Sequence, residues 1–289
     1  MQLSRPEMAV VGHVEWVRFA RLPQVPRAGE IVHASETFEE PAGGGAVAAV
    51  QLARLAGEAV LVTALGEDEH GRQCVVRLQE LGVDVWAAGR ATETRTAVTL
   101  VDDARERTII TFGARLEASG NDEALPWAAL GEMDAVYFTA GDVDALRAAR
   151  AARVLVASPR AGDVLGQGVE LDALVLSGED AVERGQADRA QEEARLVVLT
   201  DGARGGSYRE RSGATGSWSA VSPPGAPVDS YGCGDSFAAG LTYGLGAGLD
   251  VPAALALAAR CGAACLTGRG PYGVQLSRGD FEGGLERGQ

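Results

Sequence analysis

Val228-Asp229-Ser230-Tyr231-Gly232-Cys233-Gly234-Asp235-Ser236-Phe237, running on into AAGLTYGLGAG, sets two glycines and a carboxylate directly ahead of a small-residue helical segment. Gly232 and Gly234 let the backbone turn tightly and leave room for a ligand against the main chain. Asp235 then falls at an N-cap or in the first helical turn, where free N–H groups and the helix dipole form an anion site. Aspartate is also a preferred N-cap in its own right, and glycines before a helix often make no more than a turn. A carboxylate beside an anion site nevertheless suits one chemistry well: it can take the proton from a hydroxyl that attacks a phosphoryl group held on the amides. Asp229 adds a second carboxylate six residues earlier.

Composition removes the competing ways of holding a phosphate. The chain of 289 residues contains no lysine, and all 26 basic residues are arginine. A P-loop lysine, a protein-kinase strand lysine and a Schiff-base lysine are therefore excluded. The net charge of −14 repels a phosphate backbone, so nucleic acid is not an expected partner. The four cysteines lack CxxC spacing and there are only three histidines, which argues for reduced thiols rather than a zinc site. No apolar run approaches the roughly 20 residues that span a bilayer. MQLSRPEMAVVG lacks the apolar core of a signal peptide, so a cytoplasmic protein without membrane contact is expected.

Working outward, MAVVG (8–12) reads as a buried strand, whereas 14–22 and 29–38 alternate apolar with polar and read as half-exposed antiparallel strands. PAGGG leads into a helix over 46–57; a buried strand over 59–66 and an amphipathic helix over 69–82 follow. TRTAVTLVDDARERTIITF (94–112) reads as a hairpin turning at Asp102-Asp103-Ala104. Beyond residue 125, short apolar strands ending at 141, 159, 178 and 202 alternate with helices, a further hairpin lies in 206–224, and two Ala/Gly-rich helices span 235–248 and 252–266. This rhythm predicts one α/β domain over 1–289: a three-layer α/β/α sandwich with a mostly parallel central sheet and a small β lid from segments 13–41 and 92–114. Exposed lid strands favour a homodimer, because bare sheet edges seek partners.

VDSYGCGDSF resembles the second signature of the PfkB (ribokinase-like) carbohydrate kinases, D-T-x-G-A-G-D-x-F. Gly43-Gly44, ALGEDEHG (64–71), LGV (81–83), RERT (105–108) and TDGARGG (200–206) follow the family's order along nearly the whole chain. The resemblance implies an ATP-dependent phosphotransferase acting on an alcohol of a sugar or sugar-like molecule. It implies Asp235 as catalytic base, an anion hole from the amides of 232–235 (Gly232, Cys233, Gly234 and Asp235), and Thr200, Gly202 and Gly205 along the nucleotide. Asp229 becomes a candidate ligand for a monovalent cation such as K⁺. The family's N-x-x-E motif for Mg²⁺ falls on Ser177-Gly178-Glu179-Asp180, leaving Asp180, with Glu179 as a neighbouring option.

At the acceptor end the sequence departs further. Gly12-His13-Val14-Glu15-Trp16-Val17 puts valine where sugar kinases of this type carry aspartate, and Gly43-Gly44-Gly45-Ala46-Val47-Ala48 lacks their asparagine. Losing both argues against ribose itself, because unpaired hydroxyls are costly to bury. His13, Glu15, Gly43, Gly44, Gly45 and Arg107 are the candidates for contacting a different alcohol, acidic or partly apolar, with Trp16 beside them. The other readings are a non-catalytic sugar or nucleotide sensor on the same fold, a nucleoside kinase, and an NAD-dependent oxidoreductase built on G-x-G-x-x-A (43–48). The last is opposed by ETFEEP, a polar segment broken by Pro41 where a buried strand should stand.

Overall fold

Met8–Val11 (β1) is apolar throughout because it is covered on both faces: Met8 and Val10 pack into one buried cluster, Ala9 and Val11 into another. The computed structural model describes residues 5–178, 180, 183 and 188–280. It builds β1 into a nine-stranded sheet with β4 (Ala59–Gly66), β5 (Val83–Arg90), β8 (Ala135–Phe138), β9 (Val154–Ala157), β10 (Leu171–Ser177), β11 (Ala194–Thr200), β12 (Gly206–Glu210) and β13 (Thr215–Trp218). The order is β13-β12-β11-β10-β9-β8-β1-β4-β5. Strands β11 through β5 in that order pair in parallel, and the β12–β13 hairpin is antiparallel.

The cluster on the Met8 and Val10 side takes in α1 (Gly44–Ala56), α2 (Glu69–Glu80), α5 (Cys233–Gly246) and α6 (Val251–Cys265). The opposite cluster takes in α3 (Val143–Ala149) and Ala190 of α4 (Asp188–Glu193). The expected α/β/α sandwich is thus present. The two Ala/Gly-rich helices pack as closely as their small residues allow. A Cβ on Gly240 would lie 2.9 Å from the Ala258 Cα, and one on Gly244 2.9 Å from the Ala254 Cα.

Four strands form the separate small sheet: β2 (Glu15–Arg21), β3 (Glu36–Ala42), β6 (Thr96–Val101) and β7 (Arg107–Phe112), in the order β3-β2-β6-β7. The hairpin turns where expected, with Asp102 Oδ1 accepting from the Glu106 N–H at 3.0 Å. Three details differ from expectation. β3 begins at Glu36 rather than residue 29, since Pro23, Pro26 and Gly29 keep the preceding segment out of the ladder. β2 is antiparallel to β3 but parallel to β6, a pairing that alternation alone does not encode. β5, mostly half-exposed, was not anticipated as a strand.

The ALGEDEHG segment anchors the base of this sheet. Asp68 caps α2 by accepting from the Gly71 N–H at 2.8 Å and also accepts from the Thr94 N–H (2.6 Å) and hydroxyl (2.8 Å). The Gly66 N–H in turn donates to the Thr94 hydroxyl oxygen at 3.0 Å. Partial burial would raise the Asp68 pKa, but these hydrogen bonds outweigh it and hold the carboxyl below its usual value. Asp68→Ala is expected to destabilise the fold by about 1–2 kcal/mol in urea unfolding at pH 7, as loss of a helix cap does. A depressed folded pKa makes this contribution complete above the unfolded carboxylate value of about 3.9 and lost as pH falls through the lower folded value. The stability gap between wild type and variant is therefore expected to close in acid.

Candidate active site

In an open parallel sheet, ligands bind beyond the carboxyl ends of the strands at the point where the strand order reverses. Here that point lies between β1 and β8, because the chain runs from β1 outward to β4 on one side and later to β8 on the other. Gly12 and His13 follow β1, Thr139 follows β8 and Arg160 follows β9 closely. Two helix N-termini arrive from above. α1 starts at Gly44, and a Cβ there would meet Asp235 Oδ1 at 3.1 Å, Thr139 Oγ1 at 3.3 Å and Arg160 Nη1 at 3.5 Å. α5 has Gly232 as its N-cap, with φ 81°, a left-handed conformation that only glycine adopts freely. Asp235 is therefore a first-turn residue rather than the cap, and the amides of 233–235 have no intrahelical acceptor.

Asp235 is 8% exposed and ion-paired with Arg160 Nη1. Arg160 Nε also donates to Glu183 Oε1 at 3.1 Å, and Glu183 Oε2 accepts from the Ser177 N–H at 2.8 Å. The expected base is thereby linked to the end of β10. There Gly178 N–H donates to Thr200 O at 2.7 Å, so the Ser177–Asp180 loop and the Thr200 turn lie side by side. Asp180 is exposed and its Oδ1 accepts from the Glu183 N–H at 3.2 Å; Glu179 lies outside the described residues. Gly202 and Gly205 both take positive φ in the turn after β11, and Thr200 Oγ1 donates to Leu176 O at 3.2 Å.

Asp229 is almost fully buried. Its two oxygens accept from the Tyr231 N–H (2.9 Å) and the Gly270 N–H (3.1 Å), bracing the Gly-rich turn against the loop after α6. Cys233 and Cys265 share a thiol–thiol hydrogen bond, which with burial pushes the Cys233 thiol up, so its side chain stays protonated. Tyr231 accepts a 3.4 Å hydrogen bond from the Gly43 N–H and sits edge-on to Phe19 of the small sheet at 5.0 Å.

His13 is 9% exposed, and its Nδ1 has no hydrogen-bond partner among the described residues. Burial first, then the charges of Arg115, Arg160 and Arg95, lower its pKa to about 3, so the ring is neutral. A Cβ on Gly43 would come 3.0 Å from this ring, and one on Gly45 would come 2.7 Å from the His13 carbonyl oxygen. Glu15 is also buried and pairs with Arg95 at 3.4 Å; desolvation, against the pull of Arg95, raises its pKa. The structure thus brings His13, Gly43, Gly44, Gly45 and Asp235 to one place. Arg107 stands apart on the hairpin, donating to Ser230 Oγ of the signature segment at 3.3 Å. Trp16 stacks on His70 at 5.8 Å. An open groove of about 390 Å³ between β3 and α2, lined by Trp16, Glu39, Arg72 and Arg77 among others, holds none of the residues around Asp235.

Arg160, Thr139, Glu183 and Arg115 escaped the sequence reading. None has a motif around it; the switch-point rule applied to the β8 and β9 termini could have found Thr139 and Arg160, whereas Glu183, beyond β10, and Arg115, after β7, carry no such signal. Among the described residues no three His, Cys, Asp or Glu side chains cluster to hold a metal by themselves. No helix there is long and apolar enough to cross a membrane.

Several relatives share this arrangement of the chain. It is 26% identical to a ribokinase of Bacillus subtilis, over 89% of this chain and 92% of that one. A shorter match, 40% identical, relates it to the acarbose 7(IV)-phosphotransferase of an Actinoplanes strain, over 34% of this chain and a third (33%) of that enzyme. Among solved structures, a ribokinase from Agrobacterium tumefaciens described as putative superposes with a TM-score of 0.77 at 21% identity, covering 98% of both chains. The Arabidopsis thaliana ribokinase complexed with ribose and ATP gives 0.74 at 18% identity, over 97% and 99%. The pfkB family carbohydrate kinase pattern matches residues 5–165 and 169–276, the strand-end crevice and the Gly-Cys-Gly-Asp turn included, and the chain belongs to that family.

Proposed function

We propose that the chain moves the γ-phosphoryl group of ATP to a hydroxyl of a sugar or sugar-like alcohol, with Asp235 as general base. The observation that carries this reading is the buried Asp235 carboxylate on the first turn of α5, facing the N-terminal glycine of α1 at the switch point. A hydroxyl held there loses its proton to Asp235 as its oxygen attacks phosphorus, and ADP leaves from the opposite side. The amides of 232–235 hold the charge on the moving group, fixed in place before reaction. Thr200, Gly202 and Gly205 line the nucleotide, and His13, Glu15, Gly43, Gly44 and Gly45 serve the acceptor, with Arg107 reaching it only from the hairpin that stands apart. The relatives support this: a bound ribose and ATP are named for the Arabidopsis enzyme and acarbose for the Actinoplanes one.

The metal motif fits in reduced form. Mg²⁺ is held by one or two carboxylates plus substrate phosphates, so Asp180 suffices as its protein ligand, and the ion when bound neutralises phosphate charge. A monovalent cation such as K⁺ would share the Asp229 carboxylate with the two N–H donors that already brace the loop. The neutral His13, with a free Nδ1, suits a hydroxyl of the acceptor.

The reading extends to a homodimer. β7 ends the small sheet with one edge unpaired, all six of its residues are exposed, and Ile109, Ile110 and Phe112 are among them. Such an edge is a template for pairing with a second copy.

Asp235→Asn is expected to lower kcat by about 10²–10⁴-fold, the usual loss on removing a general base, while its affinity for an ATP analogue is unchanged. Wild-type turnover in that variant, measured by ADP release over a panel of sugars, sugar acids and nucleosides, would refute the base. His13→Ala is expected to raise the acceptor KM about tenfold with the ATP KM unaltered, as loss of one hydrogen bond to a buried hydroxyl predicts. In sedimentation velocity the wild type is expected as a dimer at micromolar concentration and Ile110→Lys as a monomer; a monomeric wild type would rule the dimer out.

A further inference from the structure

Arg160 lies outside every motif named for this chain, yet it touches the group on which the proposed chemistry rests. Its guanidinium reaches Asp235 through Nη1 and Glu183 through Nε, and a Cβ on Gly234 would lie 3.8 Å from its Nη2. Its backbone is itself pinned, because the carbonyl accepts from Arg115 Nη1 at 3.0 Å. Glu183 is 7% exposed and fixed to the β10 end by the Ser177 N–H. A carboxylate on a flexible stem could point in several directions from the first turn of α5. A planar guanidinium with donors in a fixed fork removes that freedom, because it satisfies two carboxylates only in one relative placement.

We propose that Arg160 is the positioning residue of the phosphoryl-transfer site, bridging Asp235 to Glu183 and thereby fixing the base relative to the β10 loop that carries Asp180. This rests on the reading of Asp235 as general base. Arg160 supplies no proton; it aims the Asp235 oxygen and keeps that carboxylate compensated in a buried place, where an unpaired charge is costly. The bridge also couples the base to the nucleotide side of the crevice, since the Ser177–Gly178 step is hydrogen-bonded to Thr200. Lysine cannot replace it: one ammonium can meet one carboxylate at the observed places, not both.

A double-mutant cycle tests this. Arg160→Ala is expected to lower kcat about 10²-fold, the scale of loss from misplacing a reacting group, with the KM for ATP unchanged. Millimolar guanidinium ion is expected to restore part of that activity saturably, which repair of a merely structural defect would not do. In the Asp235→Asn background, removing Arg160 is expected to cost less than about threefold more, because residues that act as a unit are not additive. If Asp235→Asn is slow and the double variant loses the full product of the two single effects, Arg160 does not act through Asp235 and the proposal falls while the base assignment stands. If Asp235→Asn turns over like wild type, the base assignment itself is what fails. Should Arg160→Ala not fold, Arg160→Lys carries the test: a loss of about tenfold in kcat with ATP affinity intact supports the two-carboxylate bridge, and wild-type kcat overturns it.

Discussion

The molecule is organised around the close approach of two helix N-termini to the end of one strand. A Cβ on Gly12 would lie 2.6 Å from the Gly45 Cα, and one on Gly232 would lie 2.9 Å from Val47 Cγ1. Any larger residue at Gly12 would push α1 away from β1, and any at Gly232 would both part α1 from α5 and force a strained left-handed backbone. Two positive dipole ends therefore converge on one spot, and the carboxylate beside them, Asp235, is buried enough to pair with a cation as well. With no lysine in the chain and His13 held neutral by burial and neighbouring guanidiniums, arginine provides it. Arg160 is the consequence of that constraint, and Glu183 the consequence of Arg160.

Local chemistry was legible where it is local in sequence. The strands β4 and β10 and the helices α2, α5 and α6 announced themselves by apolar runs and glycine stops, because each is specified by residues within its own length. The Gly-Cys-Gly-Asp turn was legible for the same reason. Register and neighbour choice were not: whether β2 pairs in parallel with β6 depends on contacts across some 80 residues of chain, and alternation says only that one face is covered. β5 was missed because Asp84, Gly89 and the half-exposed Trp86 break the apolar run expected of a sheet strand, β5 being the sheet's edge. The crevice lining was the least legible part. Thr139 and Arg160 are single residues whose meaning comes wholly from where β8 and β9 end.

Carboxylates in this acidic chain are compensated in two different ways. Asp68 and Asp142 are satisfied by backbone N–H groups and hydroxyls, partly from the helix each caps and partly from Thr94 or from Ser119 and Gly120, distant in sequence. Asp122 and Asp235 are paired with arginine across long sequence separations, which ties them to tertiary structure. Both kinds are complete only when the layers are assembled, so the Asp235–Arg160 pair exists only in the completed fold.

The same logic bears on how the small sheet and the crevice communicate. The sheet is tied to the body at its base by Asp68 and Thr94, and it touches the signature segment directly at three further places: Phe19 against Tyr231, Arg21 donating to the Val228 carbonyl, and Arg107 with the Arg105 carbonyl on Ser230. Tyr231 precedes the Gly232 cap and also accepts from the Gly43 N–H. One aromatic ring and one hydroxyl thus connect β2 to the N-termini of both α1 and α5. The Gly-rich turn is braced from behind by Asp229, so the contact from the sheet meets a turn already held on its other side.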